Sequence, residues 1–326
     1  MKILFSTYPH AYQTRGGGEM QLEQYYKYLK KEKKIIVQKF NQWDSNDQIK
    51  NYDIIHYFSV MPGSAIGFIS YAKYLKKKIV ISPNTWITKN DNHPNFDEIK
   101  TVLNLSDIII VNSFLEKKVL ANTFSIEEKK FKVIYNFVDD IYLTQEKNTF
   151  LDFQKEIKNN NYILNVANIE RRKNLLNFLI ALNELKINTM VINIGHIREA
   201  DYAEKCFAIY KNFKNLGFNS NQEYLRSAYK NCIFFAMPST CETPSIAALE
   251  AAACGSKILI TAEGSTKEYF KDLVEYVDPM DLNSIKEKIL KILNDTKPKN
   301  ALQFEIINKF NSKSQISKLL NIYEYL

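Results

Sequence analysis

Glycine is scarce in this chain, with nine residues in 326, where average usage of ~7 % would give more than twice that. Arginine is scarcer: of 44 basic residues only Arg15, Arg171, Arg172, Arg198 and Arg226 are Arg. The four cysteines, Cys206, Cys232, Cys241 and Cys254, form no C-x-x-C and have no paired His, a pattern that suggests neither a disulfide framework nor a zinc site. No apolar run approaches the ~18 residues of a membrane span. The opening Met1-Lys2-Ile3-Leu4-Phe5 turns polar at once and reads as no secretion signal. A soluble, cytoplasmic protein is therefore expected. With 45 % hydrophobic and 25 % charged residues, the composition also excludes a disordered or fibrous chain. A formal charge of +8 favours anionic partners. No nucleic-acid-binding motif accompanies it, so nucleic acid is not an expected partner.

What is present is alternation. Strand-sized apolar runs at 2–6, 35–40, 54–57, 79–82, 108–112 and 132–135 are followed by a second series at 162–167, 189–194, 233–237, 257–261 and 274–277. Helix-period segments lie between them, among them 19–31, 114–121, 175–185, 244–253 and 282–293. This pattern predicts an α/β chain with two doubly wound parallel sheets. The expected division is an N-terminal domain over 1–140, a linker over 141–160, a C-terminal domain over 161–305 and a terminal helix over 306–326. In such folds ligands meet the loops that follow strands, so those loops are where functional residues are expected.

Three stand out. Gly16-Gly17-Gly18 precedes a helix and follows Arg15, which suits close approach of an anion and positive φ. The loop after the strand at 233–237 carries Glu242, with Thr243 as expected N-cap and Pro244 at the first helical position. Ser245 and Ile246 follow, and Glu250 lies further along the same helix. Two carboxylates can bind several hydroxyls, and the helix start can bind phosphate. After the first strand of the second half, Asn168, Arg171, Arg172 and Lys173 gather positive charge where a diphosphate would lie. His196, just after Gly195 and another strand, lies where a base or phosphate would sit.

Together these segments resemble glycosyltransferase family 4, the glycosyl transferases group 1, on the GT-B fold. Glu242 and Glu250 match the family's two glutamates separated by seven residues, and Ala251-Ala252-Ala253-Cys254-Gly255 follows as in its E-A-x-A-C-G run. The 166–174 loop, the stretch Val133-Ile134-Tyr135-Asn136-Phe137-Val138-Asp139 and the Gly264-to-Glu268 segment fall in the family's order.

The resemblance implies two Rossmann-like domains facing a central cleft and retaining, metal-independent transfer of a sugar from a UDP or GDP donor. The acceptor would be a glycan or lipid-linked molecule in surface polysaccharide or glycoconjugate synthesis, with the enzyme in peripheral contact with the cytoplasmic membrane face. No cofactor is implied beyond the nucleotide sugar as co-substrate. Glu250 would bind ribose, Glu242 the donor sugar and Lys173 the diphosphate, and Gly16–Gly18 would close over it. The C-terminal helix would return to the N-terminal domain. Two positions depart from the pattern: Asn168 stands where the family has Arg, and Asn84 where it has His. These departures motivate an alternative, a nucleotide-sugar-binding or scaffold subunit without turnover.

Overall fold

The computed structural model describes residues 1–13, 15–60, 63, 65–143, 153, 157, 161–296 and 300–326. They form two compact units, one of Met1–Asn136 with Ser312–Leu326 and one of Phe137–Asn311. The expected linker over 141–160 lies largely outside the described residues.

The first unit contains β1 (Lys2–Ser6), α1 (Gly17–Leu29), β2 (Ile36–Lys39), β3 (Ile54–Phe58), α2 (Ala65–Tyr74), β4 (Lys78–Ser82), α3 (Phe96–Leu105), β5 (Ile108–Val111), α4 (Phe114–Phe124) and β6 (Phe131–Val133). Its six strands are all parallel, in the order β2-β1-β3-β4-β5-β6. Helices cover both faces of a parallel sheet, so its central strands are buried throughout, as Ile54–Phe58 and Ile108–Val111 are.

The second unit contains β7 (Tyr162–Val166), α5 (Leu175–Glu184), β8 (Met190–Ile194), α6 (Ala200–Ile209), β9 (Phe213–Asn215), α7 (Gln222–Asn231), β10 (Phe234–Met237), α8 (Ile246–Ala253), β11 (Ile258–Thr261), α9 (Thr266–Phe270), β12 (Glu275–Val277), α10 (Leu282–Asn294) and α11 (Asn300–Lys309). This sheet is parallel too, in the order β12-β11-β10-β7-β8-β9. Among the described residues, β9 is the one strand the sequence pattern does not announce. It is a three-residue edge strand whose only buried side chain is Phe213.

The chain ends in two helices rather than one. α11 packs on α8 in the second unit, and α12 (Ser312–Tyr325) packs on α1 in the first. There Tyr323 bonds through its hydroxyl to buried His56 Nδ1 at 2.6 Å, and Ser82 Oγ meets Nε2 at 2.9 Å. Burial holds His56 well below its ordinary pKa, so it is a neutral core residue.

Each sheet has one reversal point. In the first it lies between β1 and β3; in the second, between β7 and β10, because β8 and β9 extend one side and β11 and β12 the other. The carboxyl ends of β7 and β10 are therefore where a ligand crevice is expected in the second unit.

Candidate active site

The loops after β7 and β10 bring Lys173 and Glu242 together. Lys173 Nζ donates to Glu242 Oε1 at 2.6 Å, with the side chains 14 % and 7 % exposed. Burial drives the Glu242 carboxyl toward neutrality, but Lys173 and Arg172 outweigh it and hold the group below its ordinary value. Glu242 is thus a buried anion.

Backbone constraints fix both partners. The Lys173 loop is a short 3-10 turn, Arg171–Lys173, closed by Asn174 in the left-handed region at φ 52°. Buried Asn174 donates through Nδ2 to Pro238 O at 3.1 Å and Pro279 O at 2.7 Å, tying together the loops after β7, β10 and β12. The Thr240 N–H adds a bond to Arg172 O at 2.9 Å. Glu242 pairs with Gly264 as an isolated parallel bridge, and Ser265 N–H donates to Glu242 O at 2.9 Å. Gly264 lies at φ +86°, and a Cβ there would stand 2.1 Å from Glu242 O, so only glycine allows this approach.

That clamp keeps the chain extended through Glu242 and delays the helix. The N-cap is Ser245, whose Oγ accepts from Ala248 N–H at 3.2 Å, and α8 begins at Ile246. Thr243 is therefore not the cap, nor Pro244 the first helical residue. The first-turn N–H groups that helices leave unpaired are those of Ile246 and its neighbour.

Glu250 lies one turn into α8 in a contrasting setting. Its Oε2 accepts from Tyr229 Oη at 2.9 Å. Burial, reinforced by the nearby Asp139 charge, lifts its pKa to about 8 against the pull of the Tyr229 and Tyr142 hydroxyls.

The basic loop does not converge as a whole. Arg171 turns away to Glu199 and Asp201, and Arg172 pairs with Glu170 at 3.0 Å while 54 % exposed. Asn168 Oδ1 accepts the His196 N–H at 3.1 Å, so its amide joins the loops after β7 and β8. The His196 ring stacks on Phe218, centroids 4.6 Å apart and planes 10° from parallel. Sequence reasoning missed Phe218 because it missed β9, and missed the Tyr229 contact because no local pattern announces it.

In the first unit, the Gly16 N–H is occupied by Glu19 Oε2 at 2.7 Å, which leaves the N–H groups of Gly17 and Gly18 at the start of α1. None of the three has positive φ, contrary to the expected use of glycine there. Gly18 instead leaves room for Asn84: a Cβ at Gly18 would stand 3.3 Å from Asn84 Nδ2. Asn84, at φ 49°, accepts from Asn112 Nδ2 at 3.3 Å, and Asn112 in turn accepts from Gln21 Nε2 at 2.6 Å.

Comparison with known proteins agrees with this architecture. The family model described as glycosyl transferases group 1 matches residues 147–307, and that described as glycosyltransferase family 4 matches residues 13–141. The chain is 26 % identical over 235 residues to the uncharacterized glycosyltransferase MJ1607 of Methanocaldococcus jannaschii, covering 67 % of this chain and 59 % of that protein. It is 25 % identical over 237 residues to N-acetylgalactosamine-N,N'-diacetylbacillosaminyl-diphospho-undecaprenol 4-alpha-N-acetylgalactosaminyltransferase of Campylobacter jejuni, covering 68 % and 60 %. The chain thus spans about three fifths of the length of these curated relatives. Among solved structures, Anabaena HepE in complex with UDP and glucose superposes with TM-score 0.82 at 18 % identity over 100 % of both chains. Sucrose-phosphate synthase from Thermosynechococcus elongatus gives 0.81 at 15 %, covering 100 % of this chain and 99 % of that one. The fold is GT-B: two Rossmann-like units, each on a six-stranded parallel sheet.

Proposed function

Since the chain belongs to the group 1 glycosyltransferases, we propose that it transfers a sugar from a nucleoside-diphosphate donor, with retention at the anomeric carbon and without a resident metal or other cofactor. The observation that carries this reading is the buried Lys173–Glu242 pair at the sheet reversal point. Lys173 has an ammonium for the diphosphate, Glu242 a carboxylate for the sugar hydroxyls, and the start of α8 free N–H groups for a phosphate oxygen. Glu250 faces the ribose diol, and the His196–Phe218 stack offers a flat surface to the base.

Charge sets the mechanism. Breaking the anomeric C–O bond leaves positive charge on the sugar and negative charge on the departing diphosphate. Lys173, with Arg172 nearby, and the α8 N–H groups stabilise that negative charge, each preorganised contact contributing about 10²–10³ in rate. This is the role a divalent ion would otherwise serve. Gly17 and Gly18 offer further N–H donors suited to an anionic group.

HepE was solved with UDP and glucose, and the Campylobacter relative is named for an undecaprenol-linked acceptor. These names support a UDP-sugar donor and a lipid-linked glycan acceptor here. A peripheral membrane contact fits the first unit, where Lys27, Lys30, Lys31 and Lys39 lie over Tyr26 and Tyr28 and where Trp43 and Tyr74 are 86 % and 80 % exposed. Among the described residues no helix is long and apolar enough to cross a membrane.

The test is nucleotide release from a panel of UDP- and GDP-sugars, with and without a lipid-linked acceptor. Wild-type protein should release nucleotide and Glu242→Ala should not; equal rates would remove Glu242 from the site. A second reading, a binding subunit without turnover, draws on Asn84, a neutral amide where the family has His. Saturable binding with no release under any condition would select it.

A further inference from the structure

Three consecutive strands of the second unit end in the same short pattern, an asparagine, a branched aliphatic residue and a small residue: Asn165-Val166-Ala167, Asn193-Ile194-Gly195 and Asn215-Leu216-Gly217. The pattern is in register. Asn165 pairs with Asn193 across β7 and β8, and Asn193 with Asn215 across β8 and β9.

The three amides form one directed chain. Asn165 Nδ2 donates to Ala236 O of β10 at 2.8 Å. Asn193 Nδ2 donates to Asn165 Oδ1 at 2.7 Å and to Ala167 O at 2.9 Å. Asn215 Nδ2 donates to Asn193 Oδ1 and to Gly195 O, and its Oδ1 accepts the Gly217 N–H at 3.0 Å. Each carbonyl oxygen meets an N–H, so each amide's orientation is dictated by its neighbour. The small residues let the backbones close behind the ladder. A Cβ on Gly195 would stand 2.1 Å from Ala167 O, and Gly195 N–H donates to Gly217 O at 3.0 Å.

A sheet needs no such ladder for its strands to pair. Its location at the carboxyl ends suggests its use, because the next residues on each strand are those placed at the donor. Asn168 and Lys173 follow Asn165, His196 follows Asn193, Phe218 follows Asn215, and the chain end of the ladder lies on β10, which leads to Glu242. We infer that Asn193 and Asn215 are positioning residues: the ladder sets the relative height of the strand-end loops, and the Asn215 end holds the His196–Phe218 stack in place for the base of a nucleoside diphosphate. This rests on the donor reading above. Asn215 stands at the β9 end of the ladder, on the far side of β8 from β7 and its Lys173 loop, so its effect is expected at the nucleoside.

The ladder's outer end is half-buried on an edge strand, which makes Asn215→Ala the informative variant. The experiment is calorimetric titration of the full chain with inorganic pyrophosphate and with UDP or GDP, whichever the wild type binds more tightly. Asn215→Ala should weaken nucleotide binding roughly three- to tenfold, the scale of lost neutral hydrogen bonds, while leaving pyrophosphate binding unchanged. Phe218→Ala should do the same. The double variant should bind no more than about twofold weaker than Phe218→Ala alone, because both changes remove one arrangement. If Asn215→Ala does not fold, Asn215→Asp, which keeps the Gly217 bond and loses both N–H donations, carries the test. Unchanged nucleotide affinity, equal loss of both ligands, or losses that multiply in the double variant would overturn the inference. Phe218→Ala without effect would overturn it at the base platform, while a wild type that binds neither nucleotide would reject the donor reading itself.

Discussion

Glu242 and Glu250 sit eight positions apart, both buried, at 6 % and 4 % exposure, yet the fold treats them oppositely. Glu242 faces Lys173 and Arg172 and is held ionised; Glu250 faces two tyrosines and Asp139 and rises to about 8. Burial opposes charge at both sites, so the neighbours decide. The comparison shows how neighbours alone separate a carboxylate held ionised before α8 from a carboxyl, one turn into that helix, whose charge depends on pH.

The largest effect should come from removing the cation. Lys173→Met leaves Glu242 buried without its partner, which typically costs about 3–5 kcal/mol, and it removes the ammonium proposed for the diphosphate. Chemical denaturation and nucleotide release should both fall sharply, and the pKa of Glu242 should rise. If stability is unchanged, the pair is not the buried couple described. Next is Gly264→Ala. The added Cβ meets Glu242 O, and φ +86° is strained for any side chain, at about 1–3 kcal/mol. Transfer should fall more than the drop in thermal midpoint alone explains, because the clamp that holds Glu242 must open.

A pH series sharpens the contrast. A carboxyl raised in the folded state binds its proton more tightly there than in the unfolded chain. Glu250 therefore makes stability fall as pH rises from the ordinary Glu range toward about 8. Glu242, lowered in the folded state, contributes stability above the ordinary Glu range that is lost as pH falls through its folded pKa. If the ribose diol binds the Glu250 carboxylate, nucleotide affinity should rise with pH up to about 8 and level off above it. Tyr229→Phe removes a hydroxyl that favours the ionised form, so the profile should move to higher pH. A pH-independent affinity would separate Glu250 from the ribose. The smallest effect belongs to Arg171→Ala, whose partners Glu199 and Asp201 are solvent-exposed ion pairs. Stability should change by less than about 1 kcal/mol, and nucleotide release should stay at the wild-type rate.

How far the sequence revealed these arrangements depends on the range of the interactions. Strands such as Ile108–Val111 are legible because burial on both faces writes an unbroken apolar run. β9 is not, since Phe213-Lys214-Asn215 at a sheet edge buries one side chain and resembles a loop. Lys173 and Glu242 could be picked out one at a time, as charges after strands, but their 2.6 Å contact spans 69 positions and depends on the sheet order. The helix start was misplaced by two residues because Thr243-Pro244 is a good local cap, and the Gly264 clamp that overrides it comes from another strand end. Arg171 looked like a phosphate ligand in the sequence, while Glu199 and Asp201, 28 and 30 positions on, hold it elsewhere.

The most direct measurement is calorimetric titration of UDP, or GDP if the wild type prefers it, into wild-type protein and Lys173→Gln, an uncharged side chain that still hydrogen-bonds. The account predicts a single site on the wild type and at least a tenfold weaker one on the variant, with the folded state retained by circular dichroism. Equal affinity in the two proteins would contradict it.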